Sequence, residues 1–404
     1  MGIGSWGASP VGRARLAVNA FFVLAGLAFS SWAVRIPDIK AHLRLDDATL
    51  GLALLGAAAG SVVAMSASGW TISRFGSRHL TTVMALLVCA TLVLPTLAPS
   101  APMLFLALAV FGAAYGSLDV AMNAQAAAVE AQWGHSIMSS FHGTFSVGAL
   151  VGSFVAGLIA GRGLPPTSHL LLTGAALAVL AVVASRGLVM VAEEGSGGPS
   201  FSLPVGPLAG VAALAFGVLL AEGAVADWSA VYLRDALSAP VAVGGWGFMV
   251  FSLTMAAGRF AGDALVERLG GVAVIRWGGV LVALGMGGAL LIGTVPAALV
   301  GFACIGAGLA ATFPILLSAA GRTPGVPTGS AIAAVATAGY TGFLVGPPSI
   351  GLVSEAFGGL RNGLLVVALI GVALAIFAGV AGRSTDADAA GTRVTVAEAA
   401  EDLA

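Results

Sequence analysis

Gly69-Trp70-Thr71-Ile72-Ser73-Arg74-Phe75-Gly76-Ser77-Arg78 separates two long apolar stretches. A related passage, Arg259-Phe260-Ala261-Gly262-Asp263-Ala264-Leu265-Val266-Glu267-Arg268-Leu269-Gly270, has the same place in the second half of the chain. Ser73-Arg74-Phe75-Gly76 aligns with Glu267-Arg268-Leu269-Gly270 at an offset of 194 residues. Trp32 and Trp228 align at an offset of 196, as do Gly51 and Gly247. A duplicated unit of half the chain is the simplest account.

The duplicated unit is a run of apolar stretches. Charged residues are 9% of the 404 and apolar residues 58%, and the mean hydropathy is +1.02. A soluble domain carries about 25% charged residues, so this sequence cannot cover a water-facing surface. A spanning helix takes about 20 mostly apolar residues. Such stretches lie near 14–34, 49–71, 80–98, 102–127, 137–160 and 168–190, then near 206–229, 241–262, 272–294, 297–319, 327–353 and 361–382. Lipid offers no hydrogen bonds to the backbone, so these are expected to be helices; barrel strands would alternate over about 10 residues. The expected fold class is all-α integral membrane, with twelve transmembrane helices in two six-helix pseudo-repeats. The first bundle covers 1–190, a short cytoplasmic linker 191–204, the second bundle 205–383 and a disordered tail 384–404. Arg15 to Val34 is too long for a cleavable signal and reads as the first span.

Arginine and lysine placement sets orientation. With the N-terminus inside, Arg13, Arg15, Arg74, Arg78, Arg186, Arg259, Arg268, Arg276, Arg322, Arg383 and Arg393 are cytoplasmic. Arg35, Lys40, Arg44, Arg162, Arg234 and Arg361 are outside, so both termini are expected in the cytoplasm of a cell (inner or plasma) membrane. A net charge of −1 gives no bulk attraction to nucleic acid. Cys89 and Cys304 read as small buried hydrophobes without disulfide or metal partners, and no cofactor is implied. Lys40 is the only lysine and no nucleotide-binding loop is present, so ATP-driven transport has no motif. An intramembrane enzyme lacks one too.

At the two interhelical loops the chain resembles the major facilitator superfamily, whose signature after span 2 is Gly-x-x-x-Asp-Arg-x-Gly-Arg-Arg. Gly69, Arg74, Gly76 and Arg78 match it, Ser73 and Ser77 depart from it, and Asp263, Glu267, Arg268 and Gly270 partly restore the carboxylates. A narrower resemblance is to the MosC-like branch, whose namesake is linked to transport of a rhizopine, a methylated amino-inositol. It is carried by Ser31-Trp-Ala-Val-Arg-Ile-Pro37, Leu118-Asp-Val-Ala-Met-Asn-Ala-Gln125, Met138-Ser-Ser-Phe-His-Gly-Thr-Phe145 and Glu222-Gly-Ala-Val-Ala-Asp-Trp228. The resemblance implies a monomeric secondary transporter, with a small polar solute and H⁺ as its partners. The span-4 arginine and span-5 Gly-Pro of many proton-driven antiporters are missing.

Ionisable groups within spans cost about 2.5–3.5 kcal/mol on insertion scales and mark function by default. Asp119 in span 4 has Tyr115 and Asn123 one turn away on either side, a stripe able to bind hydroxyls or amines; its alternative is an interhelical packing bond. Burial disfavours its charged form, which suits proton exchange near neutral pH. Glu222, deep in span 7, would give the second half its own protonatable group, or else pair with a neighbouring helix. His142, Asn19 and Tyr340 can face the same cavity or serve packing. Trp32 and Trp228 can contact substrate or stand at the lipid interface. Asp227 reads as an anchor of the outer loop against Arg234, and Arg35 as a gate or interface marker. Arg74, Arg78, Glu130, Arg259, Asp263, Glu267 and Arg268 are assigned to gating between near-balanced states. Gly346-Pro347-Pro348 should kink or break span 11, and the four-residue glycine spacings read as helix packing.

The function expected is a secondary transporter of a sugar, polyol or amino sugar, working by alternating access and coupled to protons through Asp119, with help from Glu222. The alternatives are a proton-driven exporter of drug-like or secondary-metabolite compounds, with Phe21, Phe22, Phe29 and Met122 greasing the cavity, and a receptor that moves nothing.

Overall fold

The computed structural model describes residues 9–134, 137–190 and 206–382, without the side chains of Ser139, Pro207 and Asp263. The linker over 191–204 and the tail over 384–404 lie outside the described residues. Among the described residues, twelve helices are long and apolar enough to cross a membrane. They are α1 (Pro10–Leu43), α2 (Asp47–Phe75), α3 (Ser77–Thr91, then a 3₁₀ turn Leu94–Leu97), α4 (Ala101–Trp133), α5 (Met138–Gly161) and α6 (Pro166–Ser185). The second set is α7 (Ala209–Val231, then a π-helical turn Tyr232–Ala236), α8 (Trp246–Leu269), α9 (Gly271–Ile292), α10 (Val295–Leu309 with Thr312–Gly321), α11 (Thr328–Phe357) and α12 (Leu360–Gly363 with Leu365–Phe377).

Local chemistry starts and stops these helices. Ser9 and Asp46 cap α1 and α2, their side chains accepting from the backbone N–H of Gly12 and Thr49. That bond holds the exposed Asp46 carboxyl below its ordinary value. The two copies of the duplicated loop turn alike: Gly76 has φ 80 and ψ 148, and Gly270 has φ 78 and ψ 149. Only glycine adopts such a conformation without strain, so each copy needs it where one helix ends and the next begins.

The 34 residues of α1 extend about 50 Å at 1.5 Å per residue. A hydrocarbon core is about 30 Å thick, so the turns from Arg35 onward belong to the helix and not to a loop as the span estimate had it. Helix α11 likewise runs through Pro347 and Pro348 without a break. Its prolines lack N–H groups, which leaves the carbonyls of Phe343 and Leu344 without their helical donors.

The halves meet through α1 with α7, α2 with α11 and α5 with α8. Here "terminal face" denotes the end from which α1 and α7 start, and "far face" the opposite end. The most hydrophobic windows of α1 and α7 are 72% and 67% buried, the highest of the twelve, so this repeat-related pair forms the centre. Glycines set the closest approaches. A Cβ at Gly112 or Gly116 would collide with Ala57 or Ser61 of α2, and one at Gly148 or Gly152 with Val23 or Ser30 of α1. Gly51 faces the Pro347 carbonyl at the junction of the halves, where a Cβ would come within 2.6 Å.

Gly112→Leu should therefore lower the apparent melting temperature in detergent, corresponding to at least the ~1–3 kcal/mol cost of overpacking. Gly287→Ala, where a Cβ meets nothing within 4 Å, should leave it unchanged.

Candidate functional site

A cavity of about 330 Å³ lies between the halves, walled by α1, α2, α4 and α5 on one side and α7, α8 and α11 on the other. Its polar groups converge from both halves. Asp119 of α4 and His142 of α5 face Glu222 of α7, Arg259 of α8 and Tyr340 of α11, with Ser61, Ser146 and Ser252 between them. Asp119, His142, Glu222 and Arg259 are all half-buried, and Tyr340 is 43% exposed within this opening. The rest of the wall is apolar, with aromatic and thioether side chains such as Phe22, Phe145, Phe251, Phe343 and Met65 among small and aliphatic residues.

Backbone geometry explains the convergence. Tyr115 and Asp119 are one turn apart on α4 and share its cavity face. Tyr115 donates to the Ala25 carbonyl of α1 at 3.2 Å, which ties α4 to the central helix. Asn123, the next turn on, is not in the wall; its amide donates to Asp119 Oδ1 at 3.1 Å and to the Asp119 carbonyl at 2.8 Å. Asn123 thus orients the carboxylate. Asn19 also lies outside the wall: it donates to the Arg15 carbonyl and accepts from Thr144 Oγ1, joining α1 to α5. Trp228 is fully buried away from the cavity, and Trp32 is 2% exposed, so neither is an interface-belt residue. Phe22, Phe29 and Met122 do line the cavity, and His142 packs edge-on against Phe22 at 5.3 Å.

Toward the far face the cavity is stopped by an aromatic layer that crosses from one half to the other. Phe29 of α1 lies 5.8 Å from Tyr115 and 5.8 Å from Phe248 of α8, and Phe248 stacks on Phe251. Above this layer sits a charged lock. Lys40 Nζ reaches Asp47 Oδ1 at 2.5 Å and Asp235 Oδ2 at 3.0 Å. Arg234 pairs with Asp38 at 2.5 Å, and Ser354 of α11 donates to Asp47. Lys40, Asp47, Asp38 and Arg234 are only 14–17% exposed at their side chains. The π-helical turn at the end of α7 lets the sequence neighbours Arg234 and Asp235 both reach α1.

This lock was not found in the sequence, although a signal for it exists. Asp38 and Arg234 are 196 residues apart, the same offset as Trp32 and Trp228. Repeat-related positions of opposite charge near a pseudo-two-fold axis can meet across it. The expected anchor between Asp227 and Arg234 is therefore not formed: Arg234 is held by Asp38, while Asp227 is 8% exposed within α7. Arg35 lies in the protein interior, not at a lipid interface, and shares Asp38 with Arg234 of the second half. It is 2% exposed, and its guanidinium donates to His169 Nδ1, Asp38 and the Leu164 carbonyl, all within the first half.

The residues assigned to gating at the terminal face separate. Arg74 is exposed and lies over the rings of Trp70 and Phe75, and Glu267 and Arg268 are exposed at the end of α8. Among the described residues no hydrogen bond or ion pair ties Arg74, Arg78, Glu267 or Arg268 to the opposite half. Glu130 accepts from the backbone N–H groups of Ile137 and Met138 and so caps α5. Arg259 is a cavity residue, and the side chain of Asp263 lies outside the description.

An uncharacterized MFS-type transporter of Yersinia pestis is 38% identical to this chain over 355 residues, covering 86% of this chain and 92% of that protein. The chain belongs to the Major Facilitator Superfamily. The superfamily profile matches residues 16–203. Membrane protein MosC of Rhizobium meliloti is 36% identical over 364 residues, 89% of this chain and 88% of that one, in keeping with the MosC-like branch. A crystal structure of the D-xylose-proton symporter superposes with a TM-score of 0.71 at 15% identity, covering 92% of this chain and 97% of that chain. A mutant of the nucleoside transporter NupG gives a TM-score of 0.71, also at 15% identity, with 92% and 99% covered. These two likenesses concern the fold alone. Membership of the superfamily makes the chain a membrane transporter and not an enzyme.

Removing both cross-half ion pairs with Asp38→Asn and Lys40→Gln should favour opening at the far face. Two partly buried pairs worth about 1 kcal/mol each would shift the balance roughly 10–30-fold. Spin labels at Ala41 and Ala236 would read longer distances; an unchanged distribution would show that the pairs do not hold this face shut.

Proposed function

We propose that the protein is a proton-coupled secondary transporter of a small polar solute of the sugar, polyol or amino sugar class. The observation that carries this reading is the placement of Asp119 and Glu222, one carboxyl from each half, in the wall of a single cavity sealed on its far side. In a rocking mechanism the two halves turn about the central solute. Breaking the lock opens the far face, while the terminal face closes behind. Both carboxyls travel with their halves, so a proton taken up on one side can be released on the other.

Asp119 is the coupling group of choice. Its carboxyl is oriented by Asn123 and has Tyr115 beside it, while Tyr340 is within electrostatic reach of both Asp119 and Glu222. Arginine placement favours a cytoplasmic terminal face, so the cavity is the inward-facing form in a cell membrane. One copy of the chain is the working unit, because its own helices supply every wall of the cavity. Arg74, Arg78, Glu267 and Arg268 stand free to clasp the halves when the terminal face closes. The names of the solved neighbours, a D-xylose-proton symporter and a nucleoside transporter, agree with a polar cargo. The aromatic lining favours one second reading, export of a greasier compound by the same proton cycle.

The test is uptake of labelled sugars, polyols and amino sugars into proteoliposomes under an imposed pH gradient. Gradient-driven accumulation is expected, with Asp119→Asn lowering it at least ~10-fold, in line with the loss of a proton-transfer group, while solute exchange without a gradient persists. Accumulation unchanged in Asp119→Asn would remove the coupling role. Movement of hydrophobic amines with no polar solute carried would favour the export reading.

A further inference from the structure

The charged groups of the cavity are held in different ways. Asp119 accepts a hydrogen bond from Asn123. Glu222 and Arg259 have no ion pair and no hydrogen bond to another described residue. Two arginines near the far face are satisfied within the protein: Arg35 has three partners, and Arg234 has Asp38. Arg259 is different. It is half-buried, and among the described residues it is the only arginine or lysine in the cavity wall.

A guanidinium presents five N–H donors in a planar fork that matches a carboxylate. Sheltered from water without a counter-ion it is costly, and an anion in the cavity relieves that cost. Glu222 on the adjacent helix adds an unused acceptor for O–H or N–H donors at the other end of the same molecule. Phe251 and Phe343 in the same wall provide apolar surface for a carbon skeleton. A dianionic phosphate would bring two negative charges beside Asp119 and Glu222, whereas a single carboxylate balances Arg259. The volume, about 330 Å³, is at the low end for ligand pockets, so the solute is small.

We infer that Arg259 contacts the substrate and selects solutes that carry a carboxylate together with hydroxyl or amine donors, the chemistry of sugar acids and amino acids. This rests on the reading of the cavity as the transport site, and among small polar solutes it replaces neutral sugars, polyols and amino sugars with carboxylated ones. It also changes the role of Arg259, from a loop clasp to the anion-binding group of the cavity.

The experiment is a thermal-shift series on the purified full chain with galactose, galactosamine, galacturonate, gluconate and a set of neutral amino acids. At least one carboxylated member should raise the melting temperature at about ten-fold lower concentration than its uncharged counterpart. Arg259→Gln should erase that advantage, Arg259→Lys should keep part of it, and the ligand-free Arg259→Gln protein should melt no lower than wild type, since no partner is lost. If the glutamine variant does not fold, the wild-type ranking and the lysine variant decide. An acid preference that survives Arg259→Gln overturns the role of Arg259. Stabilisation by galactose or galactosamine and by none of the acids overturns the inference and leaves the polar-solute transporter standing. Stabilisation by no member of the series overturns both.

Discussion

Lipid on the outside leaves the polar groups of this chain no place but the interior, and that constraint shapes the rest of the structure. Backbone groups are satisfied within helices, and the few charges of the spanning region gather where two half-bundles meet. There they do two things. At the far face they pair across the junction and close it. Around the central cavity Glu222 and Arg259 make no hydrogen bond or ion pair among the described residues, so charged bonding capacity is left where a solute can reach it.

Closure at the far face follows the symmetry of the duplication. Ser153 of α5 lies against Gly245 of α8, and Gly51 of α2 lies against Pro347 of α11. Small residues bring the backbones together at both seams, and the pairs Arg234–Asp38 and Lys40–Asp235 sit between them on the axis. Contacts of this kind are individually weak. That suits a transporter whose two end states must lie within a few kcal/mol of one another.

Much of this was legible in the chain. Asp119 and Glu222 stood out because a carboxylate inside a long apolar run is costly, and both line the cavity. His142 and Tyr340 do as well. Asn19, Asn123 and Trp228 do not line the cavity: the two amides bond within and between helices, which serve an amide as readily as a solute does, and the Trp228 ring is buried in helix packing. Arg259 was placed with the loop charges because it is close in sequence to Glu267 and Arg268. Ten residues of helix separate it from the end of α8 at Leu269, about 15 Å at 1.5 Å per residue, and that length carries it into the cavity.

The sequence by itself determined the solvent, the number of spans, their duplication and the acids of the cavity, because hydropathy and repeat offset are local properties read along one dimension. Only the tertiary structure decided which face is closed, which charges pair across the axis and which arginine enters the cavity wall. Those outcomes depend on distances between side chains some 130 to 300 residues apart, such as Arg35 with His169 and Asp47 with Ser354, and no spacing within a single helix encodes them.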